Sequence, residues 1–185
     1  MNKQVWIEKA LGLGIQEFEI YQSTTVEKEM TWFQGQMDTL VSSKVTGTSI
    51  RGIVDGKMAN MALEEIDDSM CETVLKSLIE QAHIISNEET DSLRKPEPIE
   101  YVKKDVTWNM ASTEYVKDIL QSLEAKILAY DPRVIQVGYL GYCQGSGSRS
   151  IVNSLGMDVQ DADEMQYIVA SVVVKEEEEV KNASL

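Results

Sequence analysis

Residues 47–62 read Gly-Thr-Ser-Ile-Arg-Gly-Ile-Val-Asp-Gly-Lys-Met-Ala-Asn-Met-Ala, and this stretch constrains the fold more than any other. Thr48, Ile50, Gly52 and Val54 alternate with Ser49, Arg51, Ile53 and Asp55, and Asp55-Gly56 is a dipeptide that a tight type I′ turn favours. The expected element is a β-hairpin. A two-residue turn fixes the register of both arms, and with it which side chains face a core, so a larger antiparallel sheet can be organised around it. The hairpin holds no nucleophile, metal-ligand cluster or phosphate loop.

On either side of this centre the pattern is α+β. Val5, Trp6, Ile7, Ala10, Leu11 and Leu13 share a face of a first helix that Gly12 and Gly14 would end. Alternation then predicts strands over 17–22, 26–33 and 37–43, with Gln34-Gly35 as a turn, giving five N-terminal strands with the hairpin. Ser69-Met-Cys-Glu72 has capping-box spacing, and Met70, Cys71, Val74, Leu75, Leu78, Ile79, Ala82 and Ile85 continue it at helical period. The polar stretch 87–104, with Pro96 and Pro98, reads as a loop or extended surface crossing. Thr113 suits the N-cap of a third helix burying Tyr115, Val116, Ile119, Leu120, Leu123, Ile127 and Leu128, and Asp131-Pro132 stops it. Strands follow over 134–143, 150–153 and 166–175, separated by expected turns at Gln144-Gly-Ser-Gly147 and Ser154-Leu-Gly156. The fold class is therefore a mixed or mostly antiparallel sheet with about three helices packed on it, in which a helix-strand-hairpin order occurs twice as an α-β-β pseudo-repeat. Residues 1–185 read as one domain, divisible into packed halves 1–88 and 112–185 joined by a polar loop 89–111. Residues 172–185 pass from a buried-looking strand into a charge run with nothing to cover the strand edge, as in a fragment.

A chain of 185 residues can bury a sizeable core. Its 31 acidic against 17 basic residues give a formal charge of −14, which disfavours direct contact with nucleic acid or anionic membranes. No apolar run approaches the roughly 20 residues of a membrane span, and the N-terminus reaches charged residues too soon for a secretory signal. Cys71 and Cys143 are too few for a disulfide scaffold and form no CxxC pair, so reduced thiols and a cytoplasmic location are expected.

Each candidate for chemistry has a plainer reading. His83 is the sole histidine, and a helical zinc site needs two on one face, so a structural histidine at the helix edge is expected. Asp158, Asp161, Asp163 and Glu164 lack EF-hand spacing and read as a solvated loop and strand face. The Glu176-Glu-Glu-Glu179 run reads as an exposed face or a disordered end. Gly145-Ser-Gly147 lacks the Gly-Lys-Ser/Thr ending of a Walker loop, and Cys143 has no histidine near it in sequence. No catalytic, cofactor-binding or metal-ligating residue is assigned.

Several separated segments nevertheless agree with one family. Leu13-Gly-Ile-Gln-Glu-Phe-Glu-Ile-Tyr21, Gly47-Thr-Ser-Ile-Arg-Gly-Ile-Val-Asp-Gly56 with the trailing 59–62, the capped helix, Thr90-Asp91, Asp131-Pro-Arg-Val134 and Ile151-Val-Asn-Ser-Leu-Gly156 resemble, in order and spacing, the N-terminal region of the TldD/PmbA family. Two positions depart from its pattern: Gly52 stands where the strand more often continues with a bulky residue, and the family's glycine after the turn is here Ala59 or Asn60. Thr90-Asp91-Ser-Leu followed by Pro96 and Pro98 favours the PmbA type. The resemblance implies kinship with proposed DNA gyrase modulators and with a cytoplasmic metalloprotease that processes peptide precursors and degrades an antitoxin. It places the zinc-binding His-Glu-x-x-x-His helix in the C-terminal domain of the TldD-type subunit, and no segment here matches that helix.

The resemblance thus implies an N-terminal substrate-enclosing and dimerisation domain, inactive alone. Its expected partners are a second copy or another TldD/PmbA-family subunit, and a peptide or unfolded protein as substrate. Zinc would reside in the C-terminal domain that this chain lacks or in a partner subunit. The competing expectation is a non-enzymatic protein-interaction module acting through a sheet edge or an acidic face.

Overall fold

The computed structural model describes residues 1–64, 66–86, 90–98 and 110–185. The elements are α1 (Lys3–Gly12), β1 (Glu17–Phe33), β2 (Gln36–Val54), β3 (Lys57–Leu63), α2 (Cys71–Ile84), α3 (Thr113–Tyr130), β4 (Val134–Asn153), β5 (Asp158–Glu176) and β6 (Glu179–Ser184). The strands form one antiparallel sheet in the order β3-β2-β1-β4-β5-β6, so the fold is α+β and the order helix, then three strands, occurs twice. The loop expected at 89–111 falls largely on 99–109, outside the described residues.

The strands are fewer and longer than expected. Strands predicted separately at 17–22 and 26–33 are one, and the run 37–43 continues into the hairpin arm, leaving three N-terminal strands where five were expected. Ser23-Thr24-Thr25 and Ser42-Ser43-Lys44 are polar but contain no glycine or proline to turn the chain, and β-branched threonine suits an extended backbone. Across this region the Thr24 and Thr46 hydroxyls share a 3.0 Å hydrogen bond, and the Gln22 amide donates to Thr48 Oγ1 at 3.2 Å. Gln144-Gly-Ser-Gly147 is likewise no turn but the middle of β4. The Glu176–Glu179 run is exposed, one of the two alternatives expected, and not a disordered end: it closes a hairpin in which Glu176 pairs with Glu179 and Glu177 adopts φ +53°, so β6 covers part of the β5 edge.

The chain packs into two compact units. The first comprises Met1–Thr24, Val45–Asp105 and Gly147–Ala162. Its core joins Trp6, Ile7 and Ala10 of α1, Phe18 and Ile20 of β1, Ile50 and Val54 of β2, Ala59 of β3, and Cys71, Val74, Leu75, Leu78 and Ala82 of α2. The Asn2 side chain caps α1 by accepting from Val5 N–H at 3.3 Å, and Gly14, at φ +92°, turns the chain so that Ile15 N–H reaches the Ala10 carbonyl. The capping box at Ser69 does not form. Asp67 instead caps a single 3-10 turn, Asp68–Met70, that leads into α2, accepting from both the amide and the hydroxyl of Ser69. Asp68 then ties the two helices, accepting from Asn2 N–H at 2.8 Å and the buried Trp6 indole at 2.9 Å; these two donors hold its carboxyl below the usual range.

The second unit comprises Thr25–Lys44, Val106–Ser146 and Asp163–Leu185. Val116 and Leu120 of α3 pack on Met30 and Trp32 of β1 and on Val137, Leu140 and Tyr142 of β4. The N-cap of α3 is Ser112, one residue before the expected Thr113, accepting from Tyr115 N–H at 3.1 Å. Tyr115 and Leu128, expected to be buried, are exposed, whereas Glu124 is buried. Its carboxylate accepts the Trp32 indole at 2.7 Å and Gly35 N–H of the β1–β2 turn at 3.0 Å.

Gly52, one of the two departures from the family pattern, has a packing reason. A Cβ there would stand 2.8 Å from Leu78 Cδ2 and 3.1 Å from Ile15 Cγ2, both fully enclosed in the core, so α2 lies on β2 where a bulky residue would hold it off. Gly52→Ala is therefore expected to destabilise by about 1–3 kcal/mol in urea unfolding, and Gly52→Val by more. Gly12→Ala, at a helical position with open space around it, is expected to be neutral or stabilising.

Candidate functional site

The residues singled out by sequence do not converge. His83 lies on α2 with its side chain 57% exposed, 3.7 Å from Asp55 of the hairpin turn. Asp161 faces Arg149 at 3.7 Å, and with Asp158, Asp163 and Glu164 it belongs to β5. Among the described residues no three His, Cys, Asp or Glu side chains come together as a metal would require, so the donor set does not fit zinc. Gly145 is an ordinary strand position: a Cβ there would meet Glu27 Cγ and Met165 Cε at 3.6 Å, normal van der Waals contact.

What does converge is a set of segments that the family pattern had picked out singly. Phe18 and Ile20 face the helices, so strand alternation sends Glu19 to the opposite face of β1; Arg51 of β2 and Asn153 of β4 lie on that face for the same reason. Glu19 is only 3% exposed. Its carboxylate accepts from the Arg51 guanidinium, through Nε at 3.0 Å and through Nη2, and from Asn153 Nδ2 at 3.2 Å. Asn153 also donates to the Arg94 carbonyl at 2.9 Å, and its Oδ1 accepts the Leu155 and Met157 amides, which shapes the turn ending in Gly156 at φ +94°. Next to it, Ser154 N–H donates to the Phe18 carbonyl while Phe18 N–H donates to Ser154 Oγ, joining β1 to the end of β4.

The opening hairpin is held from the same side of the sequence pattern. Gln16 Oε1 accepts Gly56 N–H at 3.1 Å, Asp91 N–H donates to the Gly56 carbonyl at 2.9 Å, and Asp91 Oδ2 accepts Met58 N–H at 3.2 Å. Glu17 accepts Leu93 N–H and the Ser92 hydroxyl. Asp91 with Gly56, and Asn153-Ser154 with Glu19 and Phe18, are thus two hydrogen-bonded sets that fix strand ends. They are architecture, and they contain no nucleophile paired with a base.

The second unit offers a different surface. Leu140 and Tyr142 of β4 and Met30 and Trp32 of β1 face α3, so Tyr139, Gly141 and Cys143 of β4 and Glu27 and Glu29 of β1 face away from it. Gln166 donates to the Tyr142 hydroxyl at 2.7 Å on the helix side, which puts Met165 and Tyr167 of β5 on the same outward face as Cys143. Tyr139, Tyr167 and Met165 are 41%, 46% and 54% exposed. The Tyr139 ring lies over Gly141, where a Cβ would come 2.5 Å from its hydroxyl oxygen, and the hydroxyl donates to Glu29 at 3.4 Å. Burial and then Glu29 raise the Tyr139 pKa, and a hydrogen bond with the Cys143 thiol raises that of Tyr167. Aromatic rings, a thioether and carboxylates on an open sheet can hold an extended or unfolded polypeptide without demanding a sequence. Sequence reading placed Tyr139 and Cys143 on a strand over 134–143 but missed the face they share with Met165 and Tyr167, because which strands lie side by side is set by the sheet order and not by local pattern.

An antiparallel sheet, three helices and hydrogen-bonded hairpin ends, with no convergent metal-donor set among the described residues, define an α+β domain. The chain belongs to the PmbA/TldD family: residues 18–86 match PmbA/TldA metallopeptidase domain 1 and residues 107–184 match the PmbA/TldA metallopeptidase central domain. Solved structures with this fold include a proposed DNA gyrase modulator of Thermotoga maritima and TldE of Thermococcus kodakarensis, each at TM-score 0.78. A proposed DNA gyrase modulator of Bacteroides thetaiotaomicron follows at 0.73. Each is 18% identical over 98% of this chain, which spans only 41–42% of their lengths. No curated protein matches the chain in sequence.

The Asn153 arrangement is the part of the site most exposed to test. Asn153→Ala strands partners on β1, on the β4–β5 turn and at Arg94, and is expected to cost about 1–3 kcal/mol in urea unfolding. Asn60→Ala, at an exposed position, is expected to stay within about 0.5 kcal/mol.

Proposed function

We propose that the chain is the N-terminal, substrate-enclosing and dimer-forming part of a TldD/PmbA-type metallopeptidase subunit of the PmbA kind. In this reading it pairs with a copy of itself or with another family subunit in the cytoplasm, and it holds peptide or unfolded protein without cleaving it. The observation that carries the reading is the open face at Tyr139, Cys143, Met165 and Tyr167, in a chain whose family is named for a metallopeptidase and whose single histidine cannot build a two-histidine zinc helix. The zinc and the water it activates then belong to polypeptide outside these residues or to a partner subunit. Any influence on gyrase is exerted through protein substrates, since a charge of −14 opposes direct contact with DNA.

The test mixes the gene product containing this chain with a zinc-bearing family subunit and an unfolded peptide. Replacing Tyr139 and Tyr167 together by alanine is expected to lower peptide cleavage by about tenfold while leaving subunit association and the urea midpoint unchanged. Unchanged cleavage overturns the reading. Tight binding of a folded protein with no zinc and no cleavage supports an interaction module in its place.

A further inference from the structure

The two runs of helix and three strands differ in how their outer strands are covered. Counted back from the turns that pair Val54 with Lys57 and Glu176 with Glu179, Ile50 of β2 corresponds to Val172 of β5, and Gly52 to Val174. In the first run, α2 follows β3 and lies on β2 and β3, and Ile50 beneath it is fully buried. In the second run, the described residues supply no helix after β6. Val172 is only half-buried and Ile168, four residues before it on the same face, is 37% exposed.

The space left there is as long as α2. Between Tyr115, Ile119 and Leu123 of α3 and Ile168 of β5 lies a hollow of about 610 Å³. Lys126 leads from it into a second hollow of about 310 Å³ over Ile127, Tyr130 and Val172, whose walls are almost wholly apolar. Both hollows run along one flank of α3 from Tyr115 to Tyr130, roughly 22 Å at 1.5 Å per residue, and the 14 residues of α2 span roughly 21 Å.

We propose that this groove is the seat of an amphipathic helix carried by the polypeptide that follows β6, the counterpart of α2 in the second run. The family domain matched over 107–184 is a central one, so chain follows β6 in family members. The short β6 delivers that chain beside β5, as β3 delivers α2 beside β2. An apolar stripe about four turns long would bury Ile168 and Val172 and complete the helical layer over the sheet. The inference concerns packing alone and stands whichever activity the assembly has.

The experiment places a thiol in the groove with Ile168→Cys, a substitution at an exposed position that does not endanger the fold. Maleimide labelling is read at residue 168 by peptide mapping, in the 185-residue chain and in the full gene product. The expected result is labelling about tenfold slower in the full product, independent of protein concentration. Equal rates overturn the proposal, as does a reading frame that ends at Leu185. Protection that grows with protein concentration also overturns it and assigns the groove to a second copy of the chain.

Discussion

A buried carboxylate near the start of a long strand sets the terms for the first unit. Glu19 cannot be left in the interior alone, because an unpaired charge there costs several kcal/mol. It is satisfied only when Arg51 of β2 and Asn153 of β4 arrive on either side, so its burial requires three neighbouring strands to be in register at once. Asn153 extends the demand to the β4–β5 turn and to the chain at Arg94. A slip of β2 by one residue would turn Arg51 to the other face and take away the ion pair, and a slip of β4 would take away the Asn153 amide, which makes the arrangement a device for specifying register. In the second unit Glu124 has a similar part, binding the Trp32 indole and the β1–β2 turn from α3.

Much of the fold was legible because it follows from local pattern. The alternation around Asp55-Gly56 announced its hairpin, and apolar spacing announced the three helices and the middles of their buried faces, since both patterns depend only on residues a turn or a strand step apart; at the helix ends Leu11, Leu13, Met70, Tyr115 and Leu128, assigned to those faces, are exposed. Glu19 and Glu124 were not legible. In a strand or helix pattern a glutamate reads as a solvent position, and their partners lie 32, 134, 92 and 89 residues away in sequence. Glycine misled in one direction only. Gly35, Gly56 and Gly156 do adopt positive φ at turns, but Gly145, read as part of a turn, lies in the extended middle of β4. The long polar centres of β1 and β2 were misread for a related reason: threonine and serine lower hydrophobicity without lowering the tendency to extend.

The family pattern and the candidate surface therefore lie in different places. The motifs that tie this chain to the PmbA/TldD family close hairpins and fix strand ends, and they hold no chemistry. The surface suited to a polypeptide lies on the outward face of β1, β4 and β5 in the second unit, and no motif pointed to it. In the function proposed above, this chain contributes shape, register and an open sheet face, and the chemistry is carried elsewhere.

The most direct measurement is photo-cross-linking within the assembly, with a photoreactive phenylalanine analogue in place of Tyr167 on the open face or in place of Tyr115 on α3. With an unfolded peptide and the zinc-bearing family subunit present, the analogue at 167 is expected to capture the peptide and the one at 115 to leave it free. Capture from 115 with none from 167 would place the peptide on the helical side and contradict a substrate-holding sheet face.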